Sequence, residues 1–169
     1  MKIILTAILL LFSLTACSSD ISDTELKEQV KQQLIDFSKI NYEVKKEGYT
    51  KQTNDFTAYI TVIQDKATPY LTKKEAENII KANMGFTAAY LAYNDIFLTV
   101  ENVEITEFKR DTVSGEIDVS YTILLKDSSK NEVIQGAAQV TLLLEDGTLK
   151  IDRYWDDIRT KQFMSSKEN

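Results

Sequence analysis

Apolar residues in the first part of the chain recur at the spacing of an amphipathic helix. They follow one another at steps of three and four residues, and they are Leu26, Val30, Leu34, Phe37 and Ile40. This spacing places them on one helix face and leaves the charged side chains elsewhere. Ser22 and Glu25 have the spacing of a capping box, which satisfies free backbone amides at a helix start. We therefore predict a helix over residues 22–47, ended by Gly48.

Two shorter helices are predicted next. Aromatic and β-branched residues at helical spacing indicate a second helix over residues 53–65. Pro69 then interrupts the chain, because proline lacks the amide hydrogen that a helix interior needs. A second capping box, from Thr72 to Glu75, predicts a third helix that continues to about Asn83. Residues 84–93 fit either a continuation of that helix or an irregular crossing.

The last third of the chain alternates between apolar and polar residues, which is typical of half-buried β-strands. We predict strands over residues 113–125, 134–144 and 149–156, preceded by one that contains residues 96–105. Helices followed by four antiparallel strands predict an α+β domain over residues 23–158. Its N-terminal helices pack on one face of a curved four-stranded sheet.

Two details of the strands depend on the phase of this alternation. The apolar phase changes between Val100 and Val103, which predicts a bulge near residues 101–102. In the final strand, uninterrupted alternation places Arg153 and Trp155 on the same face as Ile151. Between the last two strands, residues 146–147 read Asp-Gly and predict a type I′ hairpin, since both residue types tolerate positive φ.

The beginning of the chain has the features of a bacterial lipoprotein leader. Residues 3–14 form an apolar run whose helix would span about 18 Å, too short for a hydrocarbon core of about 30 Å. The residues that follow match the lipobox of bacterial lipoproteins, and they are Leu14, Thr15, Ala16 and Cys17. The match implies a signal peptide over residues 1–16, a diacylglycerol on Cys17 and a tether over residues 17–22. The alternative is an ordinary secreted protein whose single cysteine lies near the cleavage site by chance.

Composition narrows the chemistry that remains. The 169 residues include one cysteine and no histidine, so catalytic triads and histidine-ligated metals are excluded. A lipid on Cys17 would also remove the only thiol. The net charge of −6 argues against nucleic acid as a partner, because phosphate backbones need clustered lysine and arginine. We expect no cofactor, no metal and no enzymatic activity, and a domain tethered to the extracytoplasmic face of the cell membrane. Residues 159–169 are expected to be a polar tail.

Aromatic and charged residues supply a candidate pocket. Its five members are Tyr90, Tyr93, Tyr121, Arg153 and Trp155. The aromatic members could instead be ordinary core residues, since large aromatic side chains dominate cores. Arg153 could bind an anion at the pocket mouth, or it could be an ion-paired residue at the sheet edge.

The order of the predicted helices and strands resembles that of a known fold family. A long first helix, two shorter helices and a bent antiparallel sheet that ends in the aromatic strand of residues 149–156 resemble the nuclear-transport-factor-2-like, or cystatin-like, cone fold. With the lipobox, the chain is similar to small lipoproteins of Gram-positive bacteria that carry one such domain. The resemblance implies a cavity or a partner surface beside the sheet. It suggests a non-enzymatic binding or assembly module of the cell envelope that recognises a protein partner or a small ligand. The alternatives are a cone-fold enzyme with a Tyr/Asp acid–base pair and a rigid spacer in an envelope complex.

Overall fold

A computed structural model describes residues 22–43, 56–128, 130 and 132–158. The helices are α1 (Asp23–Tyr42), α2 (Phe56–Ala67), α3 (Lys73–Lys81) and α4 (Phe86–Tyr93), with a 3₁₀ turn at Thr68–Tyr70. The strands are β1 (Leu98–Arg110), β2 (Ile117–Asp127), β3 (Glu132–Glu145) and β4 (Thr148–Asp156). The predicted α+β class is confirmed. The leader, the lipobox and the polar tail lie outside the described residues. None of the described helices has the length and apolar character that crossing a membrane requires.

Helix α1 begins as predicted and ends earlier. The Ser22 hydroxyl accepts a hydrogen bond from the Glu25 amide at 3.3 Å, and the Glu25 carboxylate accepts one from the Ser22 amide at 3.2 Å. Of the predicted apolar face, Leu26, Val30, Leu34 and Phe37 are buried, and Ile40 is partly buried beside them. The prediction of a helix to residue 47 is wrong, because Glu43 is extended and caps the helix. Its carboxylate accepts a hydrogen bond from the Val100 amide at 2.9 Å, which ties the chain to β1.

The sheet is an antiparallel meander in the order β1-β2-β3-β4. The predicted bulge is confirmed, because the β1–β2 register shifts between Val100 and Asn102. Both residues of the predicted hairpin have positive φ, 52° and 76°. The prediction that Val113 belongs to a strand is wrong, because β2 begins only at Ile117 and Val113 lies in the preceding turn, where it is 96% exposed. The Asp111 carboxylate accepts a hydrogen bond from the Val113 amide at 2.8 Å and so forms a turn before β2 begins.

The predicted phase of β4 is wrong beyond Ile151. In the β3–β4 register, Ile151 lies opposite Leu142 and Arg153 lies opposite Thr141, so Asp152 is an extra residue on β4. Ile151 and Asp152 are therefore both buried, and the alternation reverses after them. Tyr154 now faces the helices, while Arg153 and Trp155 lie on the other side of the strand.

The segment that opens α3 holds this bulge in place. The Asp152 carboxylate accepts hydrogen bonds from the Thr72 hydroxyl at 3.0 Å and from the Lys74 ammonium group at 2.8 Å. The Lys74 hydrogen bond is the main cause of a lowered pKa of Asp152, and Thr72 contributes in the same direction. The Thr72 amide also donates to the Ile151 carbonyl at 2.9 Å. The start of α3 therefore covers part of the free edge of β4, which would otherwise be open to pairing with another chain.

Residues 84–93, which the sequence left open, form a separate helix. Gly85 lies between α3 and α4, has a left-handed φ of +86° and is the N-cap of α4. Helix α4 packs against α2 in a small apolar cluster of Ile63, Ala88, Ala92 and Phe97. This second cluster lies beside the main core and fixes the position of the α3–α4 junction.

Candidate functional site

A groove of about 530 Å³ lies between the C-terminal end of α1, the α3–α4 junction and the second half of β4. This volume is within the range of small-molecule sites, about 300–1,000 Å³. The wall combines aromatic rings, amides and carboxylates. It is lined by Asn41, Tyr42, Glu75, Asn78, Ile79, Ala82, Asn83, Met84, Gly85, Phe86, Thr87, Arg153, Tyr154, Trp155 and Asp156.

Tyr154 is at the centre of a hydrogen-bonded group on the groove wall. Its hydroxyl lies 3.0 Å from the hydroxyl of Tyr42 and accepts a hydrogen bond from the Asn41 amide group at 3.2 Å. The Tyr154 ring meets Phe37 edge to face, with ring centroids 5.1 Å apart. These contacts fix the ring by packing and the hydroxyl by hydrogen bonds. The group therefore forms a preorganised wall.

Glu75 connects α3 to β4 beside this group. Its backbone amide donates to the Thr72 hydroxyl at 3.2 Å, which is half of the predicted capping box. Its carboxylate does not complete the box. It accepts hydrogen bonds from the Tyr154 amide at 3.2 Å and from the Asn78 side chain at 3.0 Å. The carboxylate that the sequence assigned to a helix cap therefore lies in the groove wall.

The tyrosines around the groove hold their protons strongly. Burial raises the pKa of Tyr42, and the negative charge of Asp156 raises it further, against the effect of the Tyr154 hydrogen bond. Burial also raises the pKa of Tyr154, and Tyr42 adds to that shift. The pKa of the neighbouring Tyr121 is also raised, mainly by burial and then by the negative charge of Asp156. All three are neutral hydroxyl groups at physiological pH.

A pH titration tests this protonation state. In each case the folded pKa lies above the ordinary value of 10.0. The contribution of these groups to stability is therefore complete below pH 10 and is lost as the pH rises above it. Of the eight tyrosines in the chain, we expect Tyr42, Tyr121 and Tyr154 to ionise only on unfolding. The absorbance of tyrosinate, followed against pH in buffer and in urea, measures this. If all tyrosines of the folded chain ionise together near pH 10, the expectation is wrong.

The structure places the five predicted pocket residues in different environments. Arg153 and Trp155 border the groove on β4, although their side chains lie on the side of the strand away from the helices. Tyr121 is only 1% exposed and lies in the core beside Ser38. Tyr90 and Tyr93 are exposed on α4 and do not line the groove. Tyr90 stacks on Phe86, which does line it, with ring centroids 6.0 Å apart.

Three residues of the groove escaped sequence reasoning. Tyr154 was placed on the wrong side of β4, because alternation alone gives no sign of the extra residue Asp152. Glu75 was interpreted as a cap, which is the local role of a glutamate at that spacing. Tyr42 lies near a helix end whose position depends on the distant contact of Glu43 with Val100. Each depends on a contact between separate elements.

The described residues contain no group of three or more acidic, histidine or cysteine side chains that could hold a metal ion. No protein-family model matches the sequence. No curated protein matches it either.

Solved structures that are similar to this chain include the following two. One is described as an Ntf2-like protein involved in plasmid conjugation, with a TM-score of 0.47 and 12% identity, over 78% of this chain and 48% of the other. The chain thus spans about half of that protein's length. The other is the intermembrane space region of the chloroplast protein ARC6, with a TM-score of 0.40 and 11% identity, over 76% and 94% of the two chains. At these identities the similarities concern the fold and not the function.

Proposed function

We propose that this protein is a membrane-anchored lipoprotein of the extracytoplasmic face, of the kind found in Gram-positive bacteria. Its domain binds a small ligand in the groove and performs no chemistry on it. The observation that carries the binding role is the groove itself, whose aromatic wall is fixed by hydrogen bonds among Tyr42, Asn41 and Tyr154. Preorganised concave sites with a few polar groups are characteristic of small-molecule binding.

The lipobox supports the anchor. Cys17 follows Leu14-Thr15-Ala16 directly after an apolar run, and a diacylated cysteine holds a protein stably on a bilayer. Helix α1 begins a few residues later, and its 20 residues span about 30 Å. The groove lies at the far end of that helix. This arrangement would direct the groove away from the membrane.

A single substitution tests the anchor. We expect Cys17→Ala to release the protein from the membrane fraction, because the diacylglycerol attachment site is lost. Ser18→Ala is the matched control and should leave the protein in that fraction. Cell fractionation with immunoblotting measures the distribution, and mass spectrometry of the amino terminus identifies the lipid. Unchanged membrane retention of Cys17→Ala, or an unmodified amino terminus in the native protein, would refute the lipoprotein assignment.

A cone-fold enzyme is the second candidate. It is favoured by one observation, the proximity of Asp156 to the hydroxyls of Tyr42 and Tyr154. The binding role is preferred because those hydroxyls already contact each other and Asn41. Turnover of a bound compound that is lost in Tyr154→Phe would support the enzyme instead.

A further inference from the structure

The groove contains two carboxylates, Glu75 and Asp156. Glu75 is only 6% exposed, and the donors to its carboxylate within the described residues are neutral, the Tyr154 amide and the Asn78 side chain. The Asp156 carboxylate accepts a hydrogen bond from the Ile158 amide at 2.9 Å, which is also neutral. A buried carboxylate is normally paired with a cation, because removing its charge from water is costly. Neither groove carboxylate therefore has an ion-pair partner among the described residues.

Among the described residues, the cations nearest to the two carboxylates along the chain pair with other groups. The Lys74 ammonium group lies 2.8 Å from the Asp152 carboxylate, at the β4 bulge. The Arg153 guanidinium lies 3.8 Å from the Glu116 carboxylate and is largely exposed. Both pairings are independent of the groove carboxylates. A cationic ligand in the groove would therefore not have to displace Lys74 or Arg153 from its present partner.

Aromatic rings provide the rest of the wall. Phe86 lines the groove while stacking on Tyr90, and Trp155 borders it on β4 with its side chain on the side of the strand away from the helices. Tyr42 and Tyr154 line it further in. The faces of aromatic rings carry partial negative charge and attract cations, most strongly where water is excluded. The aromatic rings and the carboxylates of the groove thus both favour a cationic ligand.

We propose that the groove binds a small organic ammonium ion, with Glu75 and Asp156 as its counter-charges and Tyr154 and Phe86 as aromatic walls. This inference rests on the proposed binding function and specifies its ligand class. A cavity of about 530 Å³ accommodates such an ion. The net charge of −6 adds a general attraction for cations. An anionic ligand would be repelled by both carboxylates.

The only tryptophan of the chain, Trp155, reports occupancy of the groove by its fluorescence. The full chain, purified in detergent, is titrated with choline and with ethanolamine, a quaternary and a primary ammonium ion. Two further compounds serve as comparisons. The neutral one is the carbon isostere of choline, and the anionic one is acetate. We expect a saturable change with the two ammonium ions and none with the isostere or acetate.

Substitutions locate the charge that matters. Glu75→Gln keeps the shape of the side chain and removes its charge, and we expect choline affinity to fall about tenfold. Asp156→Asn should also lower the affinity for choline. If Glu75→Gln does not fold, the result for Asp156→Asn decides whether the groove charge matters. Glu104→Gln removes an exposed carboxylate of β1 outside the groove and should leave the affinity unchanged. Circular dichroism checks the fold of each variant.

The possible failures are distinguishable. If the isostere binds as tightly as choline, or if both charge variants bind choline like the unchanged chain, the ammonium proposal is overturned. The binding function then survives provided that the observed binding is lost in Ala82→Phe, which fills the groove. If none of the four compounds gives a saturable change, the ammonium proposal is overturned and the binding function loses its support. The anchor is judged separately, from Cys17→Ala.

Discussion

Gly85→Ala should destabilise the domain by about 2–5 kcal/mol, from two separate causes. The φ of Gly85 is +86°, a left-handed conformation that costs other residues about 1–2 kcal/mol. A Cβ there would also lie 2.8 Å from Cγ2 of Ile63, a core residue that is 5% exposed. Overpacking of this kind adds about 1–3 kcal/mol. The free energy of unfolding in urea measures the sum.

Gly147→Ala is the matched control. Gly147 has a φ of +76°, and no atom lies within 4 Å of the position of its Cβ. Its replacement should therefore cost only the conformational part, about 1–2 kcal/mol. Ile63→Ala removes Cγ2 and Cδ1 and keeps only Cβ, which lies 3.0 Å from the new methyl group, so the cost of Gly85→Ala should fall toward that of Gly147→Ala in the Ile63→Ala background. Equal effects of Gly85→Ala and Gly147→Ala in the native background would show that the contact with Ile63 is unimportant.

The features of the fold that the sequence predicted are those that depend on residues close together in the chain. The capping box at Ser22, the N-cap at Thr72 and the hairpin at Asp146-Gly147 depend on neighbouring residues, and the structure has all three. The Glu75 half of the second capping box is absent, because its carboxylate binds Tyr154 and Asn78 instead. The bulge after Val100 was also predictable, because the apolar phase changes within the sequence itself. The α+β class followed from the same local patterns.

The errors occur where distant segments decide the local conformation. The end of α1 depends on the Glu43–Val100 hydrogen bond, and the phase of β4 depends on Asp152 contacting Thr72 and Lys74. The β4 error propagated into the candidate site, because it exchanged Tyr154 for Trp155 as the aromatic residue that faces the helices. The only signal in the sequence was the aspartate at position 152 of the alternating strand. It fits a polar outward position equally well, so the sequence alone did not distinguish the two.

Gly136 is the second position at which the absence of a side chain is needed. It lies in the middle of β3, opposite Ile123, where a glycine has no turn to form. A Cβ there would overlap Cγ1 of Ile158 and lie 2.9 Å from its Cδ1. Ile158 is fully buried, and the preceding Asp157 is tied to Ala137 by hydrogen bonds of 2.8 and 3.1 Å. A glycine inside a strand often marks such a close approach. The end of the domain therefore packs onto the sheet through this gap.

We expect Gly136→Ala to cost about 1–3 kcal/mol, either as strain or as the lost burial of Ile158. Ile158→Ala alone should cost about 2–5 kcal/mol, because it leaves a cavity. The two changes should not add. In the double variant the new methyl group occupies space that Ile158 has vacated, so the double variant should be about as stable as Ile158→Ala. Urea unfolding of the four proteins measures the coupling. Additive costs would mean that Ile158 does not pack against Gly136, because two residues without a contact change stability independently.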